Sequence, residues 1–148
     1  MGSVVIDDHL LRDVLAGERS ADLGLAAERI ATTGLWLFRL SSSYADPRVR
    51  RKLSAPVASL SPDLQAAFRA RLTALPDQIE VIAMRQLAWP MAELQRRHRA
   101  RGHNLSAAMV EALAAAHQLQ ANIAVSMNDA GPHLRAAAVD DGIGFHVI

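Results

Sequence analysis

Residues 4–11 read VVIDDHLL, an apolar run that leads through two aspartates into apolar residues at helical spacing. Such a run, followed at once by a helix, is typical of a strand that is covered on both faces of a parallel sheet. We therefore predict that the central strand lies here. Because ligands bind beyond the carboxyl ends of strands in open α/β sheets, Asp7 and Asp8 stand where chemistry is expected.

The rest of the chain alternates strands and helices in the same way. This order predicts an α/β fold, a three-layer α/β/α sandwich with a central parallel sheet of about five strands. We expect one domain over residues 1–148. Further strands are predicted over 30–33, 79–83, 122–127 and 144–148, and helices over 9–15, from Ser20 or Asp22, over 35–40, from Ser61, over 85–101, from Ser106 and over 134–139.

Four local features carry their own expectations. The serines at 41–43 should fray the end of a helix, and 46–54 should form a loop. Pro90 should kink its helix or divide it in two. Trp36 and Trp89 are expected in the core.

Composition excludes several function classes. The chain has no cysteine, which excludes disulfides, cysteine-ligated zinc and thiol catalysis. A formal charge of +1 provides no whole-molecule field that would favour nucleic acid or a membrane. No apolar run approaches the roughly 18 residues of a membrane span, and no secretion signal is evident. We expect a cytoplasmic protein without membrane contact.

Common catalytic motifs are missing from the sequence. It contains no phosphate loop with lysine, no G-x-G-x-x-G, no G-x-S-x-G and no H-E-x-x-H. Asp129 and His133 are four residues apart, but Pro132 between them favours a helix start over a zinc site. His117 lies among alanines and is predicted to be a packed or partly exposed histidine.

Four carboxylates are the candidate catalytic residues: Asp7, Asp8, Glu111 and Asp129. Carboxylates from separate strand ends can hold Mg²⁺ or Mn²⁺ for phosphodiester hydrolysis. Each also has a structural interpretation: Asp8 as a helix cap, Glu111 as an exposed helix charge, and Asp129 as a turn residue or cap.

A basic segment supplies a second candidate site. This segment is either a solvated connection between helices or a patch that contacts phosphate. The residues are Arg48, Arg50, Arg51 and Lys52, with a second basic run over 96–101.

Two stretches near the carboxyl terminus, LSAAMVEALAAAHQLQANIAV and NDAGPHLRAAAVDDGIGFHV, together with VVIDDHLL, resemble a PIN domain. This is the fold of many toxin ribonucleases in bacterial toxin-antitoxin pairs. The resemblance implies a cluster of about four acids that binds Mg²⁺ or Mn²⁺ and activates a water against the RNA backbone. It also implies an antitoxin-like protein partner and a homodimer.

The acids of that family carry over incompletely. Asp7 matches the first, whereas the second, third and fourth fall on Arg39, Met109 and Met127. Glu111 follows Met109 by two residues, roughly 200° around a helix, so it cannot simply substitute. A salt bridge from Arg39 to Asp7 would occupy the metal position. The cluster is therefore interpreted as depleted.

Three functions follow as expectations. The first is a PIN-like binding module with a depleted metal site, non-catalytic or weakly active, that recognises a protein partner, RNA or a second copy and needs no cofactor. The alternative is a toxin-type ribonuclease with a rearranged site of Asp7, Asp8, Glu111 and Asp129, in which Asp7 and Asp129 hold Mg²⁺ or Mn²⁺. RNA-backbone binding without cleavage, through the basic segments, is a third hypothesis.

Overall fold

The computed structural model describes residues 2–18, 25, 27–46 and 48–148. Within them, five strands form one all-parallel sheet in the order β3-β2-β1-β4-β5, so the predicted central strand is confirmed. The strands are β1 (Gly2–Ile6), β2 (Ala27–Thr32), β3 (Ile79–Val81), β4 (Asn122–Val125) and β5 (Phe145–Val147).

Seven α-helices in the described residues cover the sheet and complete the predicted α/β/α sandwich. The predicted helix from Ser20 or Asp22, with Leu23, Leu25 and Ala26 as apolar positions, falls mostly on residues 20–24 and 26, which lie outside the described residues. The helices are α1 (Asp8–Leu15), α2 (Gly34–Ala45), α3 (Arg51–Ala58), α4 (Pro62–Thr73), α5 (Met84–Ala100), α6 (Ala107–Leu119) and α7 (Pro132–Asp140), with a 3₁₀ turn at Met127–Asp129.

The alternation of side chains along β1 divides the core in two. Val4 and Ile6 belong to an apolar cluster with Leu11 of α1 and Phe68 of α4. Val5 points to the other face, into the cluster that α5, α6 and α7 form. Full burial of one such side chain contributes about 1.5–3 kcal/mol. The sheet is thus covered on both faces, which explains the unbroken apolar run.

Two local expectations fail near α2. The serines at 41–43 do not fray α2, because Ser41 Oγ donates to Leu37 O and Ser43 Oγ to Leu40 O, both at 2.8 Å. The predicted loop over 46–54 is shorter than expected, since α3 begins at Arg51. Burial of Leu53 and Val57 in the core stabilises that helix.

Pro90 does not divide α5, which runs as one helix from Met84 to Ala100. Leu87 and Leu94, two turns apart on either side of the proline, are both buried and hold the helix on the core. Trp36 is buried as expected, but Trp89 lies outside the core with 72% of its surface exposed. In the part of the chain that the structure describes, no helix is both long and apolar enough to span a bilayer.

Candidate functional site

Asp7 joins the two central strands at their carboxyl ends. It follows β1 and caps α1, with its Oδ1 accepting a hydrogen bond from Leu10 N at 2.9 Å. Its Oδ2 accepts from both the backbone N and the Oγ of Ser126, the residue after β4, each at 2.8 Å. The side chain is fully buried, and this burial raises the pKa of Asp7 to about 7 against the lowering effect of these hydrogen bonds.

Asp8 lies in the first turn of α1 and faces two cationic side chains. Its Oδ1 is 3.0 Å from His9 Nδ1, and its Oδ2 is 3.2 Å from Arg39 Nε of α2. Arg39 also reaches Asp129, with 3.6 Å between Nη2 and Oδ1. The arginine therefore pairs with Asp8 and Asp129 instead of Asp7, the partner considered from the sequence.

The contacts of His9 make it a cation at neutral pH. Its Nδ1 also lies 3.7 Å from Asp129 Oδ2. The carboxylates of Asp129 and Asp8 raise the pKa of His9 to about 9. Burial opposes ionisation of Asp129, yet its pKa is lowered, because His9, the neighbouring carboxyl groups and the charge of Arg39 stabilise the ionised form.

The cluster contains donors suited to a hard cation. Ligand atoms of Asp7, Asp8, His9 and Asp129 lie within 4.8 Å of one another. The Oδ2 atoms of Asp8 and Asp129 are buried without a hydrogen-bond partner, which fits a cation in need of oxygen ligands. However, Arg39 and His9 already bring positive charge to the same oxygens. As the side chains stand, a divalent ion fits only if Arg39 moves away.

Glu111, the remaining candidate acid, lies elsewhere. It is 1% exposed, so it is not the exposed helix charge considered from the sequence. Its Oε1 accepts a hydrogen bond from Leu35 N at 2.8 Å, in the first turn of α2. Among the described residues, Glu111 is not part of the group that could share an ion with Asp7. This geometry gives Glu111 a capping contact between α6 and α2.

The two methionines at the other acid positions differ in their surroundings. Met109 is partly buried against the core, and its backbone N donates the capping hydrogen bond to Ser106 Oγ. Met127 is 77% exposed, in the 3₁₀ turn after β4. That turn brings Asp129 back over the strand ends, so Asp129 joins the cluster although it follows Met127 by two residues.

A cleft of about 320 Å³ opens over the cluster. The first turn of α3 and the residue before it bring the basic segment to this cleft. Arg48, the first cation of the segment, does not line the cleft. Its Nε lies 3.0 Å from Asp46 Oδ1. The lining residues are Asp8, His9, Arg39, Arg50, Arg51, Lys52, Leu53, Asn128 and Asp129.

Sequence reasoning did not single out His9 or Ser126. Ser126 is the first residue after β4, so the rule that ligand sites lie beyond strand carboxyl ends was a signal for it. His9 follows two acids in the stretch already judged central. Its inward orientation depends on how α1 packs, for which the sequence carries no signal.

Comparisons with family models and with curated proteins find no match for this chain. The sheet establishes the α/β class, whereas membership of a PIN-like family stays a prediction. The antitoxin-like partner and the homodimer stay predictions as well.

Proposed function

We propose that this domain is a PIN-like module that binds RNA through its phosphate backbone, with an acid cluster neutralised by its own side chains. The observation that carries the proposal is the cleft over the cluster. Among the described residues that line it, five side chains are cationic at neutral pH and two are acidic. Such a surface attracts a polyanion.

The neutralised cluster removes an obstacle to phosphate binding. Free carboxylates at the cleft floor would repel a phosphodiester. Here Arg39 contacts both Asp8 and Asp129, and protonated His9 lies beside the same two groups. The floor of the cleft is therefore close to neutral, and the cations around it determine its charge.

The placement of the basic side chains also favours an anionic ligand. Arg51 and Lys52 lie in the first turn of α3, and no acidic residue accompanies them there. Cations at a helix N-terminus are unfavourable by about 0.3–1 kcal/mol each, because the helix dipole is positive at that end. A bound phosphate would reverse this unfavourable interaction.

The salt dependence of RNA binding tests the proposal. Fluorescence anisotropy with a single-stranded RNA should give a slope of about −2 in log K against log salt, if three phosphates are neutralised. Replacing Arg50, Arg51 and Lys52 with glutamine should abolish most of this slope. The matched control is Arg48→Gln, which removes a charge from the same segment outside the cleft.

Two results would contradict RNA binding at this cleft. A flat salt response of the unaltered protein would exclude backbone contacts as the source of affinity. If Arg48→Gln and the triple variant lost RNA affinity equally, the segment would attract RNA only through its overall positive charge.

A Mg²⁺- or Mn²⁺-dependent ribonuclease remains the second candidate. The unpartnered oxygens of Asp8 and Asp129 favour it, with Asp7 as a third ligand. Under the leading proposal, Arg39 keeps the ion out. Arg39→Gln should then raise Mn²⁺ affinity by about 10-fold or more in isothermal titration, since a charge about 4 Å away at an effective dielectric of 20 is worth up to about 4 kcal/mol.

In this Mn²⁺ titration Arg29→Gln is the control, because it also removes one positive charge, and Arg29 pairs with Glu80 on an exposed part of the sheet. Tight Mn²⁺ binding by the unaltered protein, together with chelator-sensitive RNA cleavage that Asp7→Asn abolishes, would favour the ribonuclease instead.

A further inference from the structure

We propose a separate zinc site, formed by His98, His103 and Asp140, where the end of α5 meets the end of α7. One potential ligand atom from each of these residues lies within 4.8 Å of the others. The site shares no residue with the cleft, so it stands independently of RNA binding.

His98 provides the decisive observation. Its side chain is completely buried, and its Nε2 is 3.1 Å from Asp141 Oδ2. Because a carboxylate only accepts, Nε2 carries the proton, and the neutral ring then has its lone pair on Nδ1. Nδ1 is buried without any hydrogen-bond partner. A buried, unpaired nitrogen of this kind is costly unless something binds it.

The arrangement around His98 is the one that metal-binding histidines adopt. Such a histidine donates its other ring N–H to a carboxylate, which orients the ring and raises its basicity. Asp141 fills this role. The Asp141 side chain is 4% exposed. His117 Nε2 lies 2.7 Å from its Oδ2, and Arg97 Nη2 donates to both of its carboxylate oxygens. Asp141 is therefore a positioning residue for His98.

The other two ligands lie within reach. Gly102, with φ +82°, turns the chain after α5, and His103 N donates to His98 O at 2.9 Å. The rings of His98 and His103 are 5.7 Å apart, and His103 Nε2 is 2.8 Å from Asp140 Oδ2. Zinc bonds of about 2.0–2.2 Å put tetrahedral ligands about 3.4 Å apart. Ligand atoms that lie within 4.8 Å of one another need only small shifts to reach that separation.

The donor set favours zinc over a hard cation. Two imidazole nitrogens and one carboxylate oxygen suit Zn²⁺, and three protein ligands leave a fourth position for water. His103 and Asp140 keep 20% and 38% of their side-chain surface exposed, so the ion can enter. Once bound, it would connect the end of α5 to the end of α7.

Zinc titration of the chelator-treated full chain tests the site. We expect one Zn²⁺ per chain with micromolar or tighter affinity, and a higher melting temperature with zinc. Loss of an outer partner of a metal ligand lowers metal affinity by about 10- to 100-fold. His103→Ala and Asp140→Asn remove ligands themselves, so each should weaken zinc binding by more than that. Asp141→Asn should weaken it by about 10- to 100-fold. Substituted Co²⁺ should give the visible absorption of a tetrahedral site.

Two further variants make the result specific. His146→Gln, an exposed histidine of β5, and Asp129→Asn in the other cluster should both bind zinc as the unaltered protein does. The proposal is overturned if the unaltered chain binds zinc more weakly than about 100 µM. It is also overturned if Asp129→Asn, rather than His103→Ala and Asp140→Asn, removes the ion. Circular dichroism of each variant establishes that it is folded.

Discussion

Asp7 and His9 stand two residues apart after β1, and the pKa of each is raised for a different reason. Burial disfavours the charge on Asp7, whereas neighbouring carboxylates favour the charge on His9. Asp7 thus contributes less to stability as pH rises from 3.8 towards 7, and His9 contributes less as pH rises from 6.5 towards 9. Both groups make the fold more stable at lower pH within these ranges.

His9→Gln should flatten the upper part of this pH dependence. In the unaltered protein, the contribution of His9 is complete below pH 6.5 and lost as pH rises through about 9. The free energy of unfolding from urea titrations should therefore fall less between these pH values in the variant. His146→Gln on the exposed part of β5 is the control. If the free energy of unfolding of His9→Gln changed with pH as it does in the unaltered protein, the neighbouring carboxylates would not be stabilising protonated His9.

Glu111 gives a second test at the level of one residue. Glu111→Ala leaves Leu35 N without its acceptor, which should lower the free energy of unfolding by about 1–3 kcal/mol. Glu111→Gln keeps an acceptor oxygen and should lower it far less. Denaturant unfolding measures both. Equal stability of the two variants would contradict the capping role, and Mn²⁺ affinity should be the same in both.

Helices α5 and α3 each contain an internal proline, Pro90 and Pro56, whereas Pro62 stands in the first turn of α4. A proline in a helix interior lacks the N–H for one hydrogen bond and clashes with the preceding turn. In α5, burial of Leu87 and Leu94 compensates for this. The helix is therefore held by its packing more than by the propensity of its residues.

Pro90→Ala should stabilise the protein. Alanine is better than proline by about 3 kcal/mol inside a helix, a difference that already includes the greater freedom of the unfolded alanine chain, so a gain of up to about 3 kcal/mol is expected. Thermal or denaturant unfolding measures it. Pro62→Ala is the matched control and should give no gain, because an N–H is not needed in the first turn. A loss of stability in Pro90→Ala would mean that the proline has a packing role.

On the scale of the whole molecule, pairing is strongest at the centre of the sheet. β1 is bonded on both sides, by β2 and β4, and Val5 and Ile6 are completely buried. The edge strands β3 and β5 have three residues each and one neighbour each. The candidate site lies at the carboxyl end of β1, the strand with a partner on each side. The floor of the cleft should therefore be rigid.

Hydrogen exchange should follow this order. The amides of Val5 and Ile6 should exchange most slowly, at a rate set by global unfolding, and those of β3 and β5 should exchange faster through local opening. Exchange followed by NMR measures each amide. If the edge amides are protected as strongly as β1, local opening does not separate the strands, and the sheet opens as one unit.

The local pattern of the sequence determined the strand-helix alternation, the central position of β1, the helix N-caps Ser61 of α4 and Ser106 of α6, and the placement of Asp7 at a strand end. Each depends on neighbours in the chain, which the sequence shows directly. Only the tertiary structure decided that Asp129 joins Asp7 and Asp8, that Arg39 neutralises Asp8, and that Glu111 caps α2 instead. These outcomes depend on distances between residues far apart in the chain, and the packing of helices on the sheet sets those distances.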